Sequence, residues 1–268
     1  MAIGAPFLDA VAAAIREVSA TAIEPRFSFL AQDDVRAKSP GELVTVADEE
    51  AEQLLEARLA GLGQGAPVVG EEACAADPSR LQLLGSPRAW LVDPIDGTAN
   101  FVTGSPDWGV MVALLEEGAT VAAWIWQPLR QAMFMAARGG GVLRDGRPIR
   151  RGRPAATAAG LRGRVSSRFL PPEQAAAVER NRGRFGSVLS GRGSAAIEYP
   201  ALVEGAQDFC VYWRTLAWDH AAGALLVEEA GGVVGRFDGS PYRPAEEGSG
   251  LIVAADETSW QQARSLVD

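Results

Sequence analysis

The segment Trp90–Phe101 constrains this chain more than any other part of the sequence. An apolar run leads into two aspartates three residues apart, Asp93 and Asp96, with a proline between them and Gly97 after them. Proline disfavours helix in the residue before it, and glycine permits a tight turn. We therefore predict a strand that delivers two carboxylates just beyond its end. The turn at Gly97 and Thr98 would also offer free N–H groups to phosphate oxygens.

Two other interpretations of this segment must be weighed. An Asp-Gly pair is common in ordinary turns that an aspartate side chain closes, so the motif alone does not establish a site. Phosphatases of the haloacid dehalogenase class use an aspartate nucleophile, but their two aspartates are two residues apart and share one face of a strand. The spacing of three here, and the position of the motif at residue 93, disfavour a phosphoaspartate at Asp93.

Two further acids lie at predicted element ends. Glu71 follows the short apolar strand Val68-Val69-Gly70, and Asp219 lies at or near the N-terminus of a predicted helix over 217–230. Taken singly, Glu71 is typical of a solvated acidic loop and Asp219 of a helix N-cap. Together with the aspartate pair, they predict a cluster of carboxylates.

The amino-acid composition excludes several kinds of active site. The chain has one histidine, His220, so a Ser-His-Asp triad or a histidine-rich zinc site has almost nothing to be built from. Its two cysteines, Cys74 and Cys210, are too few and too far apart for a disulfide framework, which favours a reducing cytoplasm. Lys38 is the only lysine, which makes its position worth examining.

Charge and hydropathy limit the partners. The net charge of −9 argues against nucleic-acid binding, although arginines are dense between residues 138 and 184. Residues 1–26 predict an amphipathic helix instead of a signal peptide, and no run approaches the roughly 20 apolar residues of a membrane span. We expect a cytoplasmic protein that binds neither membrane nor nucleic acid. Its carboxylates could still take a phosphorylated metabolite if a cation bridges the two.

The hydrophobic pattern predicts a mixed α/β chain without internal repeats. A soft boundary near residue 150 separates an N-terminal half, 1–150, from a C-terminal half, 151–268. Helices are predicted near 7–24 and 46–60 and over 172–182, 194–204 and 217–230. Strands are predicted over 67–69, 89–92, 110–115, 120–126, 131–136, 165–169, 209–213 and 251–254.

The order of the motifs resembles the inositol monophosphatase family. The main matches are Gly70-Glu71-Glu72, Asp93-Pro94-Ile95-Asp96-Gly97-Thr98 and Trp218-Asp219 followed by Ala221-Ala222-Gly223. Further matches are Lys38-Ser39-Pro40, then Leu43-Val44-Thr45 with Asp48, and Arg192-Gly193-Ser194-Ala195-Ala196. The resemblance spans nearly the whole chain.

The resemblance implies a layered αβαβα sandwich of the inositol monophosphatase and fructose-1,6-bisphosphatase type, usually a homodimer. It implies hydrolysis of a phosphate monoester by metal-activated water, with two or three Mg²⁺ per site and Mn²⁺ as an alternative. The implied metal ligands are Glu71, Asp93, the Ile95 carbonyl, Asp96 and Asp219. The implied catalytic residues are Glu71, Thr98 and Asp48. The implied substrate-binding residues are Asp96, Gly97, Thr98, Gly193, Ser194, Ala195, Tyr212 and Asp219, and Lys38 falls on an active-site loop.

Substrate choice is where the sequence departs from the family pattern. Members acting on inositol phosphate carry a glutamate seven residues before the Trp-Asp aspartate, and here that position is Tyr212. The alternatives are histidinol phosphate, fructose 1,6-bisphosphate and 3'-phosphoadenosine 5'-phosphate. Arg214 could meet a second phosphate, and Tyr212 or Trp213 could stack on a ring, but simple packing is favoured. His220 is expected to be structural. A binding module that keeps the metal site without turnover is the non-catalytic alternative.

Overall fold

The computed structural model describes residues 3–39, 42–63 and 65–268. Its helices, in chain order, are α1 Ala5–Val18, α2 Val46–Leu62, α3 Glu71–Ala76, α4 Thr98–Val102, α5 Pro172–Asn181, α6 Ala195–Val203, α7 Ala217–Glu229 and α8 Glu257–Arg264. The strands are β1 Val35–Ser39, β2 Glu42–Thr45, β3 Val68–Gly70, β4 Arg88–Asp96, β5 Gly109–Glu116, β6 Ala119–Gln127, β7 Ala132–Ala137, β8 Val142–Arg144, β9 Arg147–Pro148, β10 Arg162–Val165, β11 Ser187–Ser190, β12 Phe209–Arg214, β13 Val233–Arg236 and β14 Ser249–Ala254.

The strands form two large sheets and one hairpin. The seven-stranded sheet follows chain order from β3 to β9, with β3 parallel to β4 and the following neighbours antiparallel. The five-stranded sheet has the order β11-β10-β12-β14-β13, and β10 is parallel to both of its neighbours. Strands β1 and β2 pair separately as an antiparallel hairpin.

Alternation along the central strands divides the core into layers. On β4, Trp90 and Val92 join the apolar cluster that contains α1 and α2, whereas Leu91 joins the cluster on the opposite face. This two-residue period is expected of a strand buried on both faces. The opposite face packs against α6 and α7, which also contact the smaller sheet. A third cluster packs α5 and α8 on the outer face of that sheet, and the predicted αβαβα sandwich is confirmed.

The middle layer explains how residues far apart in the chain meet. Helix α7 lies between two sheets, and its side chains are buried almost all round from Ala217 to Val227, as expected of a helix without a solvent face. Gly223 lets α6 approach closely, because a Cβ there would lie 2.1 Å from the ring of Tyr199.

Several predicted boundaries need correction. The strand predicted over 165–169 is wrong, since β10 covers Arg162–Val165 and a 3-10 turn follows over Ser167–Phe169. The start of β10 has no apolar side chain at Gly163 to reveal the strand in the sequence. Glycine is required there because the ring of Phe209 fills the space that a Cβ would need. The first helix ends at Val18 and continues as a π-helical turn to Ile23. Met1 and Ala2 of that prediction, and Pro40 of the Lys38 motif, lie outside the described residues.

Other elements were not predicted: the β1–β2 hairpin, α3, α4, β8, β9, β11, β13 and α8. Position 150 lies between the last strand of the larger sheet and the first strand of the smaller one, and the division into halves there stays a prediction. Among the described residues, no helix has both the length and the apolar character to cross a bilayer. Cys74 and Cys210 are buried and unpaired.

Candidate active site

The two aspartates of the central motif were predicted to lie just beyond the end of a strand. That placement is wrong, because both belong to β4, which ends at Asp96. Asp93 pairs with Met111 and Asp96 with Gly109, and the register shifts between these pairs. Residues three apart on a regular strand point to opposite faces. The irregularity, which includes a proline without an N–H, allows both carboxylates to line one pocket.

Three carboxylates meet in that pocket. Oxygen atoms of Glu71, Asp93 and Asp219 lie within 4.8 Å of one another. Glu71 is the first residue of α3, Asp93 belongs to β4, and Asp219 is in the first turn of α7. The cluster is thus built from three elements that the two sheets hold together.

The electrostatics of this cluster favour a bound cation. Asp93 is buried, and its Oδ1 has no hydrogen-bond partner among the described residues. Burial raises the pKa of Asp93 and of Asp219, and the negative charge of Glu71 raises both further. A buried carboxylate without a partner is costly unless a proton or a metal ion neutralises it. Hard oxygen ligands with no sulfur suit Mg²⁺ or Mn²⁺, so the residues present fit the implied metal.

Asp96 differs from the other acids because one of its oxygens is already occupied. Its Oδ2 accepts hydrogen bonds from Ser194 Oγ at 2.5 Å and from the backbone N–H of Ala196 at 2.7 Å. Burial raises its pKa to about 7, against the opposite effect of these two bonds. Asp96 lines the pocket but is outside the group of three acids. Its contacts join β4 to the N-terminus of α6.

Thr98 and Asp48 form the pair that the resemblance implies. Thr98 Oγ1 is 3.2 Å from Asp48 Oδ1 and 3.0 Å from the carbonyl oxygen of Ile95, which therefore compete for one hydroxyl proton. Asp48 is held by a capping box in which its Oδ2 accepts from the backbone N–H of Thr45 at 2.8 Å. Burial raises the pKa of Asp48 to about 6, partly offset by the bonds from Thr45.

The turn after β4 has the geometry that its glycine predicted. Gly97 has a φ of +89°, in the left-handed region, and precedes α4 as its N-cap. A Cβ at Gly97 would also lie 3.0 Å from Asp107 O and from Ser194 Cβ. This position therefore requires glycine both for its backbone conformation and for space.

The single lysine lies against the acidic cluster. Lys38 Nζ donates to Glu71 Oε1 at 2.8 Å and to Glu72 Oε1 at 2.5 Å. Burial lowers the pKa of Lys38, but the charges and hydrogen bonds of the two glutamates outweigh it and hold that pKa above its usual value. Lys38 thus supplies a positive charge beside a predicted metal ligand.

Gly193, Ser194 and Ala195, for which the resemblance implies substrate binding, line the pocket together with Tyr212. Tyr212 is buried, its ring stacks on Tyr199 at 5.7 Å, and its hydroxyl donates to Glu198 Oε2 at 2.8 Å. Its face is therefore engaged by the protein. The favoured expectation that Tyr212 packs agrees with these contacts.

His220 is embedded in the protein. Its Nε2 lies 3.0 Å from the carbonyl oxygen of Arg214, and its Nδ1 lies 2.8 Å from the hydroxyl of Tyr199. A carbonyl only accepts, so Nε2 carries the proton and Nδ1 accepts from the tyrosine. Burial lowers the pKa of His220 to about 4. These contacts support the expected structural role.

Two buried glutamates of the site were missed. Glu52 accepts the backbone N–H groups of Glu72 and Ala73, each at 2.8 Å, and so caps α3. Glu198 accepts the backbone N–H of Arg192 at 2.5 Å through Oε1, while its Oε2 accepts from Tyr212. The available signal was an acid on an otherwise apolar helix, as in Ala195–Val203.

Comparison with known proteins shows which family the whole chain matches. The model of the inositol monophosphatase family matches residues 5–267. An inositol-1-monophosphatase of Mesorhizobium japonicum is 34% identical over 221 residues, covering 76% of each chain. The Nus factor SuhB of Pseudomonas aeruginosa is 32% identical over 215 residues, covering 77% of this chain and 76% of that one.

Solved structures give the same picture of the fold. The Thermotoga maritima IMPase is similar with a TM-score of 0.76 and 25% identity, covering 97% of this chain and 94% of that one. The suhB protein of Bartonella henselae is similar with a TM-score of 0.77, the same identity and the same coverage.

Proposed function

The chain belongs to the inositol monophosphatase family and is a phosphoric monoester hydrolase, and we propose that it hydrolyses a small phosphorylated metabolite with the help of Mg²⁺. The observation that carries this proposal is the meeting of Glu71, Asp93 and Asp219 within 4.8 Å, with one buried oxygen of Asp93 unpartnered. Asp96 and the carbonyl of Ile95 would complete the ligand set for two or three ions.

Bound there, Mg²⁺ would make a water nucleophilic near neutral pH and neutralise charge on the leaving oxygen. Glu71 would accept the proton of the attacking water. Thr98 would accept a hydrogen bond from that water while donating its own proton to Asp48, which a hydroxyl can do without ionising. The backbone N–H groups of Gly97 and Thr98 would hold phosphate oxygens. Lys38 would limit the repulsion between Glu71 and the phosphate.

For the substrate, we propose an ester similar in size to inositol 1-phosphate. The pocket has a volume of about 260 Å³, below the roughly 300–1,000 Å³ of most ligand sites, which suits a compact molecule. Tyr212 in place of the family's glutamate leaves histidinol phosphate, fructose 1,6-bisphosphate and 3'-phosphoadenosine 5'-phosphate as alternatives.

Phosphate release from a panel of these esters tests the proposal. We expect release with Mg²⁺ or Mn²⁺, none with EDTA, and a loss of at least about 10²-fold in Asp93→Asn. Mg²⁺-dependent binding without phosphate release would favour the non-catalytic binding module. A trapped phosphoenzyme at Asp93 would favour the aspartate nucleophile instead.

The oligomeric state and the cellular location of the protein are proposed from its family membership alone. We expect a cytoplasmic homodimer, and sedimentation equilibrium of the purified chain tests the dimer. A monomer at micromolar concentration would contradict it.

A further inference from the structure

Arg214 presents a cation at the pocket that holds the carboxylate cluster. It is the last residue of β12, and its guanidinium lies 4.1 Å from the centre of the Phe169 ring. The same guanidinium forms an ion pair with Glu42 of β2. Arg214, Phe169 and Glu42 all line the pocket that Asp93 and Asp219 line. A positive group therefore shares one small cavity with the reaction centre.

Arg214 has binding capacity that the protein does not use. A guanidinium carries five N–H donors arranged to match a carboxylate or a phosphate. In the described part of the chain, Glu42 is its only ion-pair partner, and about a third of the Arg214 side chain, 35%, remains exposed. The Phe169 ring adds a cation–π contact, 4.1 Å from its centre to the guanidinium carbon, but supplies no anion.

Glu42 supplies the anion that Arg214 contacts in this structure. Its Oε2 accepts a hydrogen bond from Ser39 Oγ at 2.7 Å, while its Oε1 faces Arg214. The carboxylate comes from the β1–β2 hairpin, whereas Arg214 belongs to the five-stranded sheet. The pair thus joins two separate parts of the fold at the pocket, and both of its side chains are partly exposed. Because solvent reaches both side chains, the pair is weakened by screening, and an anionic ligand could compete for Arg214.

Other ways of recognising a substrate are less available at this end of the pocket. The ring of Tyr212 is buried against Tyr199 and is not free for stacking, whereas Trp213 is partly engaged by an edge-on contact with Phe237 at 5.9 Å. Both oxygens of Glu198 already accept hydrogen bonds from the protein. Arg214, by contrast, pairs in the described part of the chain with one carboxylate, that of Glu42, which comes from a separate hairpin.

We propose that Arg214 is a specificity-determining residue that selects phosphate monoesters carrying a second anionic group, with Glu42 occupying the subsite of that group until substrate displaces it. The proposal rests on the proposed phosphatase function and names its substrate class. The second anion is a phosphate or a carboxylate, since a guanidinium binds either through two parallel N–H donors. The two sources are separated by experiment.

Matched pairs of substrates test this proposal. Fructose 6-phosphate and fructose 1,6-bisphosphate differ by a second phosphate, and glycerol 3-phosphate and 3-phosphoglycerate differ by a carboxylate. The readout is the ratio of kcat/KM for the two-anion ester to that for its one-anion partner, at fixed free Mg²⁺. We expect a ratio above one in the wild type for at least one pair, and the pair that shows it identifies the anion.

Two substitutions have opposite expected effects on that ratio. Arg214→Gln removes the cation and should lower the ratio about tenfold or more, mainly by raising KM for the two-anion ester. Glu42→Gln removes the competing carboxylate and should raise the ratio by about twofold to tenfold. Arg214→Lys keeps the charge without the planar fork and should fall between wild type and Arg214→Gln.

The control is an ion pair of the same kind away from the pocket. Arg58 of α2 pairs with Glu17 of α1 on the surface, so Arg58→Gln should leave the ratio unchanged. An unchanged ratio in Arg214→Gln would overturn the proposal. If that variant does not fold, an unchanged or lowered ratio in Glu42→Gln overturns it instead.

The test also separates the two proposals. If the wild type releases phosphate from no ester, the proposed function fails. The selection is then measured by Mg²⁺-dependent thermal shifts with the same pairs, where loss of the two-anion preference in Arg214→Gln supports it and its retention overturns it.

Discussion

At the scale of single residues, Asp93 is an unfavourably placed charge in the proposed metal site when no ion is bound. Its carboxylate is buried, one oxygen lacks a partner, and neighbouring acids repel it. Asp93→Asn removes that repulsion, so the metal-free protein should become more stable by about 1–3 kcal/mol. The same change should abolish stabilisation by Mg²⁺.

Urea unfolding in EDTA and in Mg²⁺ measures both effects. Asp9→Asn, at an exposed position on α1, is the control and should change neither. The account of Asp93 would be contradicted if Asp93→Asn were less stable than the wild type in EDTA. It would also be contradicted if Mg²⁺ stabilised the variant as much as it stabilises the wild type.

Asp48 should set the acid limb of the pH profile. Burial disfavours its charged form and raises its pKa to about 6, so the ionised fraction grows as pH rises through 6. The Thr98 hydroxyl donates to Oδ1 of Asp48, and an ionised carboxylate accepts that hydrogen bond more strongly than a protonated one. We therefore expect kcat to fall below about pH 6, and Asp48→Asn to lower it about 10²–10⁴-fold.

The measurement is kcat against pH at saturating Mg²⁺. Asp48→Asn should lose the limb near pH 6, whereas Thr98→Ser keeps a hydroxyl and should retain the limb. An unchanged limb in Asp48→Asn would assign that titration to another group.

At the scale of elements, the position of Glu71 depends on how α3 begins. Glu52 of α2 accepts two N–H groups from the first turn of α3, and Gly70 leaves room for it, because a Cβ there would lie 2.2 Å from the Glu52 carboxylate carbon. Glu52→Gln can accept through one oxygen only. We expect a loss of about 1–3 kcal/mol in the free energy of unfolding.

The same substitution should raise the Mg²⁺ concentration needed for half-maximal activity, because Glu71 is the first residue of α3. Glu56→Gln, one turn further along α2 in a weak pair with Arg80 at 3.4 Å, is the matched control. Loss of stability without any change in Mg²⁺ requirement would restrict Glu52 to a purely structural role.

The sequence predicted the elements with long, regular patterns and missed the short ones. Strands β4 to β7 and helix α7 were found because two-residue and helical periods extend over many residues. The six-residue α3 and the edge strands β11 and β13 are too short for a period to be visible. Strand β10 was misplaced because its glycine packs under a ring from a strand more than forty residues away.

Some residues of the candidate site were predicted from the sequence and others were missed. Glu71, Asp93 and Asp219 were predicted because each lies near the boundary of an apolar pattern, and the structure brings them together. Glu52 and Glu198 were missed because an acid on a helix is usually solvated. Their partners are backbone N–H groups that only the tertiary fold supplies.

At the scale of the whole molecule, the middle helices should couple the two halves. One apolar cluster contains strands of the larger sheet, α6, α7 and strands of the smaller sheet. The halves 1–150 and 151–268 should therefore unfold in one transition. Far-UV circular dichroism and tryptophan fluorescence should give coincident urea curves, which Mg²⁺ shifts together. Two separate transitions would show that the halves are independent.

The central claim, that Glu71, Asp93 and Asp219 share divalent cations, is tested most directly by anomalous diffraction from crystals soaked in Mn²⁺. We predict an anomalous peak within about 2.5 Å of oxygen atoms from all three residues, lost after EDTA treatment. A cleft without such a peak, in crystals that show Mn²⁺ only at surface acids, would contradict the account.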